Sequence, residues 1–449
     1  MPTYVPNTAE QQQEMLHAIG VESIDDLLTA IPADVRLDRL LALPPALSEP
    51  ALRRHITSLA EMNADLDHTI SFLGAGFYDR VVPSVVAHLA KRSEFLTSYT
   101  PYQPEVSQGM LQATFEFQTM VCQITGMDVA NASLYDGSTA TVEAALLAIG
   151  PSGRGEVLVS RAVDPQYRQT LATYAKTRGF SLREIGIENG ATSIKALRDA
   201  ISEDTAAVIV QQPNFFGVVE DMRAIERIVH VTKALFVSVV TEPASLGVMA
   251  PPADYNADIF ASEGSSLGNP IGFGGPALGL FAMKNSLLKR MPGRLVGETV
   301  DDRGQRGFVL TLQTREQHIR RERATSNICT NQALLAVFAT VYLASLGKQG
   351  FRELGEQCVQ RAHYAFDQLT AIAGVTPLYD RPFFDEFALT LPKPIGEINV
   401  ALQEHGIIGG YDLGREYPEL HNAALFCVTE ARTRDDIDHL VATLKEVTK

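Results

Sequence analysis

The sequence predicts an α/β protein organised as an N-terminal helical arm (residues 1–67), a large unit (68–330) and a small C-terminal α+β unit (331–449). Two observations carry the prediction. Short runs of Val, Ile, Leu, Ala and Phe alternate with amphipathic helical stretches from Glu156 to Ala261. Those runs are continuous rather than alternating, the habit of strands covered by helices on both faces, and so of a parallel sheet.

In chain order, the arm alternates polar helical stretches with proline-rich breaks such as Ala42-Leu-Pro-Pro-Ala46 and Ser48-Glu-Pro50, a pattern suited to wrapping a neighbour. Leu111, Phe115, Phe117, Met120, Val121 and Ile124 then recur at helical spacing, with Gly126 as the stop. Strands follow at Glu156–Ser160, Ala206–Val210, Ala234–Val240 and Ala257–Ala261, with a helix from Pro165 to Thr177 that ends at Gly179. Past Asn331, the stretch Gln332–Leu346 is apolar on most of its surface and belongs between units. The small unit reads as strand (Phe387–Leu391), helix (Ile395–His405), strand (Leu425–Thr429) and helix (Arg434–Val447).

With 449 residues, 45% of them hydrophobic, the chain can bury more than one ordinary core. Its 38 basic and 53 acidic residues leave a formal charge of -15, a field that repels phosphate backbones and anionic headgroups, so neither nucleic acid nor a membrane surface is the expected partner. Four cysteines without a C-x-x-C pair indicate neither a zinc site nor a disulfide framework, and no metal is expected. The N-terminus lacks a basic region followed by an apolar stretch, and no uninterrupted apolar run approaches bilayer length, so the expected location is the cytoplasm.

Several segments carry candidate chemistry. Tyr99-Thr-Pro-Tyr-Gln-Pro-Glu-Val-Ser-Gln-Gly109 displays hydroxyls and amides between prolines that hold the backbone in one shape. It is a ligand-binding loop or an ordered cap for the following helix, and the residues alone leave both open. Asn131-Ala-Ser-Leu-Tyr-Asp-Gly-Ser-Thr-Ala140 opens a helix. Such a start is a ready phosphate cradle, although an ordinary helix cap explains the same residues. Gly272-Phe-Gly-Gly-Pro276 lacks the spacing of a dinucleotide fingerprint. The run Arg315–Arg323 is a self-paired solvated face or a basic surface for an acidic partner.

Taken together these segments resemble the glycine decarboxylase P-protein family. The resemblance runs in order through Phe72–Asp79, Tyr99–Gly109, Asn131–Gly137, Pro270–Pro276, Met291–Arg294, Leu312–Arg321 and Ala324–Thr330, and extends to Val428–Arg432. It implies a fold-type-I architecture of pyridoxal-phosphate (PLP) enzymes: a large domain with a mainly parallel, seven-stranded sheet, and a small domain that closes over the cofactor at a subunit interface. It also implies that the chain is the N-terminal-type subunit of the split form, with a second subunit (α2β2), glycine and the lipoyl H-protein as partners.

A PLP enzyme needs a lysine to form its Schiff base. By the resemblance, Ser265 or Ser266 stands at that place, the aspartate that pairs with the pyridine nitrogen is replaced by Glu242 or lost, and Asp164 replaces a histidine. Lys233 and Lys284 read as solvated strand ends. The expectation is therefore that PLP is bound by the partner subunit and that the chain is inactive alone. Tyr99, Thr100, Tyr102, Gln103 and Ser107 are the expected contributors to the shared active site and interface. A stand-alone PLP enzyme and a non-catalytic scaffold are the alternative readings.

Overall fold

A computed structural model describes residues 6–37, 39–98, 101–312, 317–324, 326, 328 and 330–449. The chain divides into two compact units, residues 1–64 and 65–449. The first contains α1 (Ala9–Ile19) and α2 (Glu49–Ala60). The helix α1 is closed at its start by a reciprocal Thr8–Gln11 capping box and at its end by Gly20 in the left-handed region.

The second unit is built on a seven-stranded sheet. Its strands are β1 (Val129–Ala130), β2 (Glu156–Ser160), β3 (Ser181–Ile185), β4 (Thr205–Gln211), β5 (Leu235–Val240), β6 (Ile259–Glu263) and β7 (Gly279–Met283). They lie in the order β1-β7-β6-β5-β4-β2-β3. Pairings from β3 through β6 are parallel, and β7 runs antiparallel between β6 and β1. Side chains on a strand point alternately to opposite faces. Val157, Val159, Ile209, Val237 and Val239 thus join one core with α4 (Gly137–Ser152) and α5 (Pro165–Arg178). Leu158, Val208, Val210 and Phe236 join another with α6 (Met222–Val229). Burial on both faces is why these strands read as unbroken apolar runs.

The helix α3 (Gln108–Thr125) ends at Gly126 as expected and packs with Phe260, Leu280 and Ala282 from the sheet. It also meets the hairpin formed by β8 (Leu295–Val300) and β9 (Arg306–Thr311), where Leu111 packs with Val296 and Phe308. Helix α7 (Ala333–Thr370) runs past the expected end at Leu346. Gly347, with φ of 62°, kinks the helix there, and the chain resumes helix beyond. By length and composition α7 could cross a membrane. In this fold its apolar face is spent on the core, where Ala336, Val337, Ala339 and Tyr342 are buried.

The C-terminal part carries an antiparallel sheet of β10 (Thr376–Pro377), β11 (Glu386–Thr390), β12 (Tyr411–Asp412) and β13 (Ala423–Cys427), in the order β10-β11-β13-β12. It is covered by α8 (Ile395–Glu404) and α9 (Arg434–Val447), with Phe387, Leu389 and Phe426 packed against Ile398, Leu402, Leu440 and Leu444. Phe72 lies in the same cluster, and Ile70 pairs with Ile407. The chain thus passes along the small sheet before entering the large one.

Candidate functional site

In an open α/β sheet, ligands bind in the crevice beyond the carboxyl ends of the parallel strands. Here that edge carries Gln211, Thr241, Glu242, Glu263, Ser265 and Ser266, with the start of α4 beside them.

Arg80 lies beside Glu242 with a side chain only 2% exposed. Its guanidinium meets Glu242 Oε2 at 2.9 Å, Asp385 Oδ2 at 2.9 Å and Glu430 Oε2 at 2.5 Å, and Nη1 also donates to Cys358 Sγ at 2.8 Å. Glu242 uses its other oxygen to accept from Ala244 N at 2.8 Å and from Ser266 Oγ at 3.1 Å. Beside this group Tyr78 Oη donates to Glu386 Oε2 at 2.9 Å and lies 3.3 Å from Thr241 Oγ1, which accepts from Gln211 Nε2 at 3.1 Å. Burial pushes the Asp385 carboxyl well above its ordinary value despite Arg80, and burial raises Glu386 to about 7. One guanidinium cannot hold so many carboxylates ionised away from water.

The start of α4 is closed by two carboxylates. Asp136 accepts from Thr139 N at 2.7 Å and from Ser138 Oγ at 2.8 Å, so the cap reading of this segment holds. Glu263 accepts from Gly137 N at 3.0 Å, Ser265 N at 2.9 Å and Leu278 N at 2.7 Å. Burial raises Glu263 to about 6, and these backbone donors resist the rise. Asp164 is also raised by burial to about 6 and receives the Gln166 amide, while its own N–H donates to Gln211.

The polar loop lies elsewhere on α3 and the hairpin. Tyr99 and Thr100 fall outside the described residues. Tyr102 is 53% exposed and accepts a 2.7 Å hydrogen bond from Arg294, whose guanidinium lies 5.0 Å over its ring. Gln103 precedes a short 3-10 turn (Pro104–Val106), and Ser107 precedes α3 without a side-chain cap bond. Gln108 ties the loop to β9, donating to Pro104 O and Phe308 O and accepting from Phe308 N. Ser265 and Ser266 lie in the crevice, whereas Lys233 and Lys284 adjoin the opposite edge of the sheet, Lys284 paired with Asp258 at 2.7 Å.

A family model for the glycine cleavage system P-protein matches residues 2–444. The chain belongs to that family. Among relatives of the P-protein family, it is 52% identical over 445 residues to the probable glycine dehydrogenase (decarboxylating) subunit 1 of Moorella thermoacetica, covering 99% of each chain. It is 52% identical over 441 residues to the protein of the same name from Geobacillus kaustophilus, covering 98% of each. A crystal structure of glycine decarboxylase (P-protein) of the glycine cleavage system in inhibitor-bound form superposes with a TM-score of 0.90 at 46% identity, over 99% of this chain and 100% of that one. A sphingosine-1-phosphate lyase of Burkholderia pseudomallei, at 15% identity and a TM-score of 0.67 over 93% of this chain, shares the fold alone. The fold is that of type-I PLP enzymes, as the sequence led us to expect.

The residues in this chain's own crevice do not fit PLP. Ser265 and Ser266 offer no amine for the aldehyde, Glu242 is engaged by Arg80 and Ser266, and Glu263 takes the backbone donors at the start of α4. Arg80, Glu263, Asp385 and Glu430 were not singled out by the sequence reading. Arg80 follows the Phe72–Asp79 segment and Glu430 lies within Val428–Arg432, but nothing local announces a partnership across 350 residues.

Proposed function

We propose that this chain is the subunit of a two-subunit glycine decarboxylase that lacks the cofactor lysine, while the second subunit binds PLP and carries the Schiff base. The complex decarboxylates glycine and passes the aminomethyl group to the lipoyl arm of the H-protein. The observation that carries the reading is Ser266, whose Oγ hydrogen-bonds Glu242 at the carboxyl edge of the sheet where the family's reaction calls for an amine. The names of its full-length relatives, subunit 1, support a second chain.

In this reading the assembly is α2β2, works in the cytoplasm and is inactive without the second subunit. Residues 68–330 and 331–449 act as large and small domains behind the arm, 1–67. The loop Tyr99, Thr100, Tyr102, Gln103 and Ser107 completes the partner's active site and excludes water from it, because stray protonation would abort the transfer. Support comes from Phe273, 96% exposed on the turn after the crevice, and from half-exposed Tyr102 and exposed Val106, apolar surface suited to a second chain.

The test is reconstitution. The chain should co-purify with a second chain bearing PLP, and Tyr102→Phe, which removes the acceptor of the Arg294 bond, should lower glycine–CO2 exchange by roughly tenfold, the effect of about 1.4 kcal/mol. Isolated wild-type chain that traps PLP with borohydride and decarboxylates glycine alone would refute the proposal.

A further inference from the structure

The crevice of this chain is closed at both ends and in the middle by its own side chains. At one end Gly137, the first residue of α4, is pressed against β6. A Cβ at Gly137 would fall 2.7 Å from Glu263 N and 1.9 Å from Tyr167 Oη, so Tyr167, on α5, roofs the helix start. Beneath that roof the Glu263 carboxylate gathers three N–H groups from the ends of three elements, α4, the turn after β6 and the residue before β7. A helix start with free N–H groups is an anion site. Here it already holds an anion, and Asp136 adds a second carboxylate to the same turn. At the other end Arg80 faces Glu242. Between them lie Tyr78, Gln211 and Thr241, joined by hydrogen bonds.

We propose that Glu263 is an internal phosphate, and Arg80 an internal counter-cation, that together occupy this chain's crevice and bar it to phosphorylated ligands. The inference deepens the reading of the chain as the subunit without cofactor. It adds that loss of the lysine is not the only barrier: the two charged poles of an aldehyde phosphate, its phosphate and its ring nitrogen, both find their protein partners taken. A third anion at the start of α4 would meet two carboxylates at close range with little water between them. The chain therefore keeps its charge balance with no small molecule present.

The experiment uses the full-length chain and its variants Glu263→Ala and Glu263→Gln, melted in inorganic phosphate and in chloride of matched ionic strength, with equilibrium dialysis against pyridoxal 5'-phosphate. Wild type is expected to show no saturable response to either probe up to about 10 mM, since a ligand raises stability only as it binds the folded state. Glu263→Ala is expected to melt lower in chloride and to regain most of the loss in phosphate, in a saturable manner. Glu263→Gln, which fills the slot without charge, should lose less and gain nothing from phosphate.

Should Glu263→Ala fold poorly, recovery of folded chain in phosphate but not in chloride is the same result. Equal behaviour in the two salts, folded or not, overturns the proposal. Saturable phosphate binding by wild type overturns it as well, and leaves the two-subunit reading untouched. That reading fails by a different measurement, glycine decarboxylation by the isolated chain.

Discussion

Replacing Arg80 by methionine should cost about 3–5 kcal/mol at pH 8 and far less at pH 5.5. The wild-type guanidinium contacts Glu242, Asp385 and Glu430 with almost no access to solvent. Methionine fills similar space and leaves those carboxyls without a cation, the situation in which a broken buried pair costs about 3–5 kcal/mol. The alternative to an unpaired buried charge is a protonated carboxyl. Holding one extra Glu neutral costs about 1.4 kcal/mol for each pH unit above its ordinary pKa of about 4.3. That is about 5 kcal/mol at pH 8 and about 1.6 kcal/mol at pH 5.5. The sign follows: the variant's folded state binds a proton that its unfolded state has lost, so its deficit grows as pH rises. Urea unfolding of wild type and Arg80→Met at the two pH values measures it. A deficit below about 1 kcal/mol at pH 8, or one of equal size at both pH values, would show that Arg80 does not compensate these charges.

Three further outcomes follow from the same geometry. Burial raises Glu143 to about 7, so its contribution is fully present below its ordinary pKa and is lost as pH rises through 7. Glu143→Gln should therefore melt like wild type near pH 4.5 and be more stable by up to about 3 kcal/mol at pH 8, as thermal melts across that range would register. Gly137→Ala places a methyl against Tyr167 and the β6 backbone and should destabilise by about 3 kcal/mol or more, measured as a shift of the urea midpoint; a change under about 0.5 kcal/mol would mean that the helix start is not packed as described. Ser266→Lys should retain no PLP after borohydride reduction and gel filtration, because the added amine enters a crevice whose charged positions are already filled; covalent retention would show that the lysine was the only missing part.

The fold was legible in the sequence where burial is symmetrical. Val157–Val159 and Val208–Val210 are apolar on both faces, and a continuous run announces such strands. Strands β1 and β12, two residues each, are too short to show any period, and the hairpin β8–β9 does not alternate, since β8 runs from buried to exposed and β9 has only Phe308 buried. The continuation of α7 was hidden by Gly347, which sequence rules treat as a stop but which here only kinks the helix. Within the site, that the stretch 258–270 holds no lysine can be read from the sequence alone. The partners of Glu263 cannot. Glu263 looks like any polar residue after a strand, and its meaning appears only when Gly137 and Leu278 arrive from 126 and 15 residues away. Single residues declare their chemistry; a charge balance requires the fold.

That balance also bears on why residues 65–449 form one compact unit. Arg80 stands on the segment entering the large sheet, Glu242 follows β5, Cys358 lies on α7, and Asp385 and Glu430 flank β11 and β13 of the small sheet. Arg432 with Asp79 and the Thr429 hydroxyl on Asp79 O add links between the same segments. Buried ion networks seldom stabilise a protein more than apolar packing of the same volume, because each charge forfeits its hydration. What they supply is geometry, since a guanidinium fork accepts its carboxylates from few directions. In an enzyme whose small domain closes over a ligand, the ligand supplies the contacts that hold the closed form. In this chain Arg80 makes such contacts with the chain's own carboxylates, joining the segment that enters the large sheet to Glu242 after β5 and to Asp385 and Glu430 beside the small sheet.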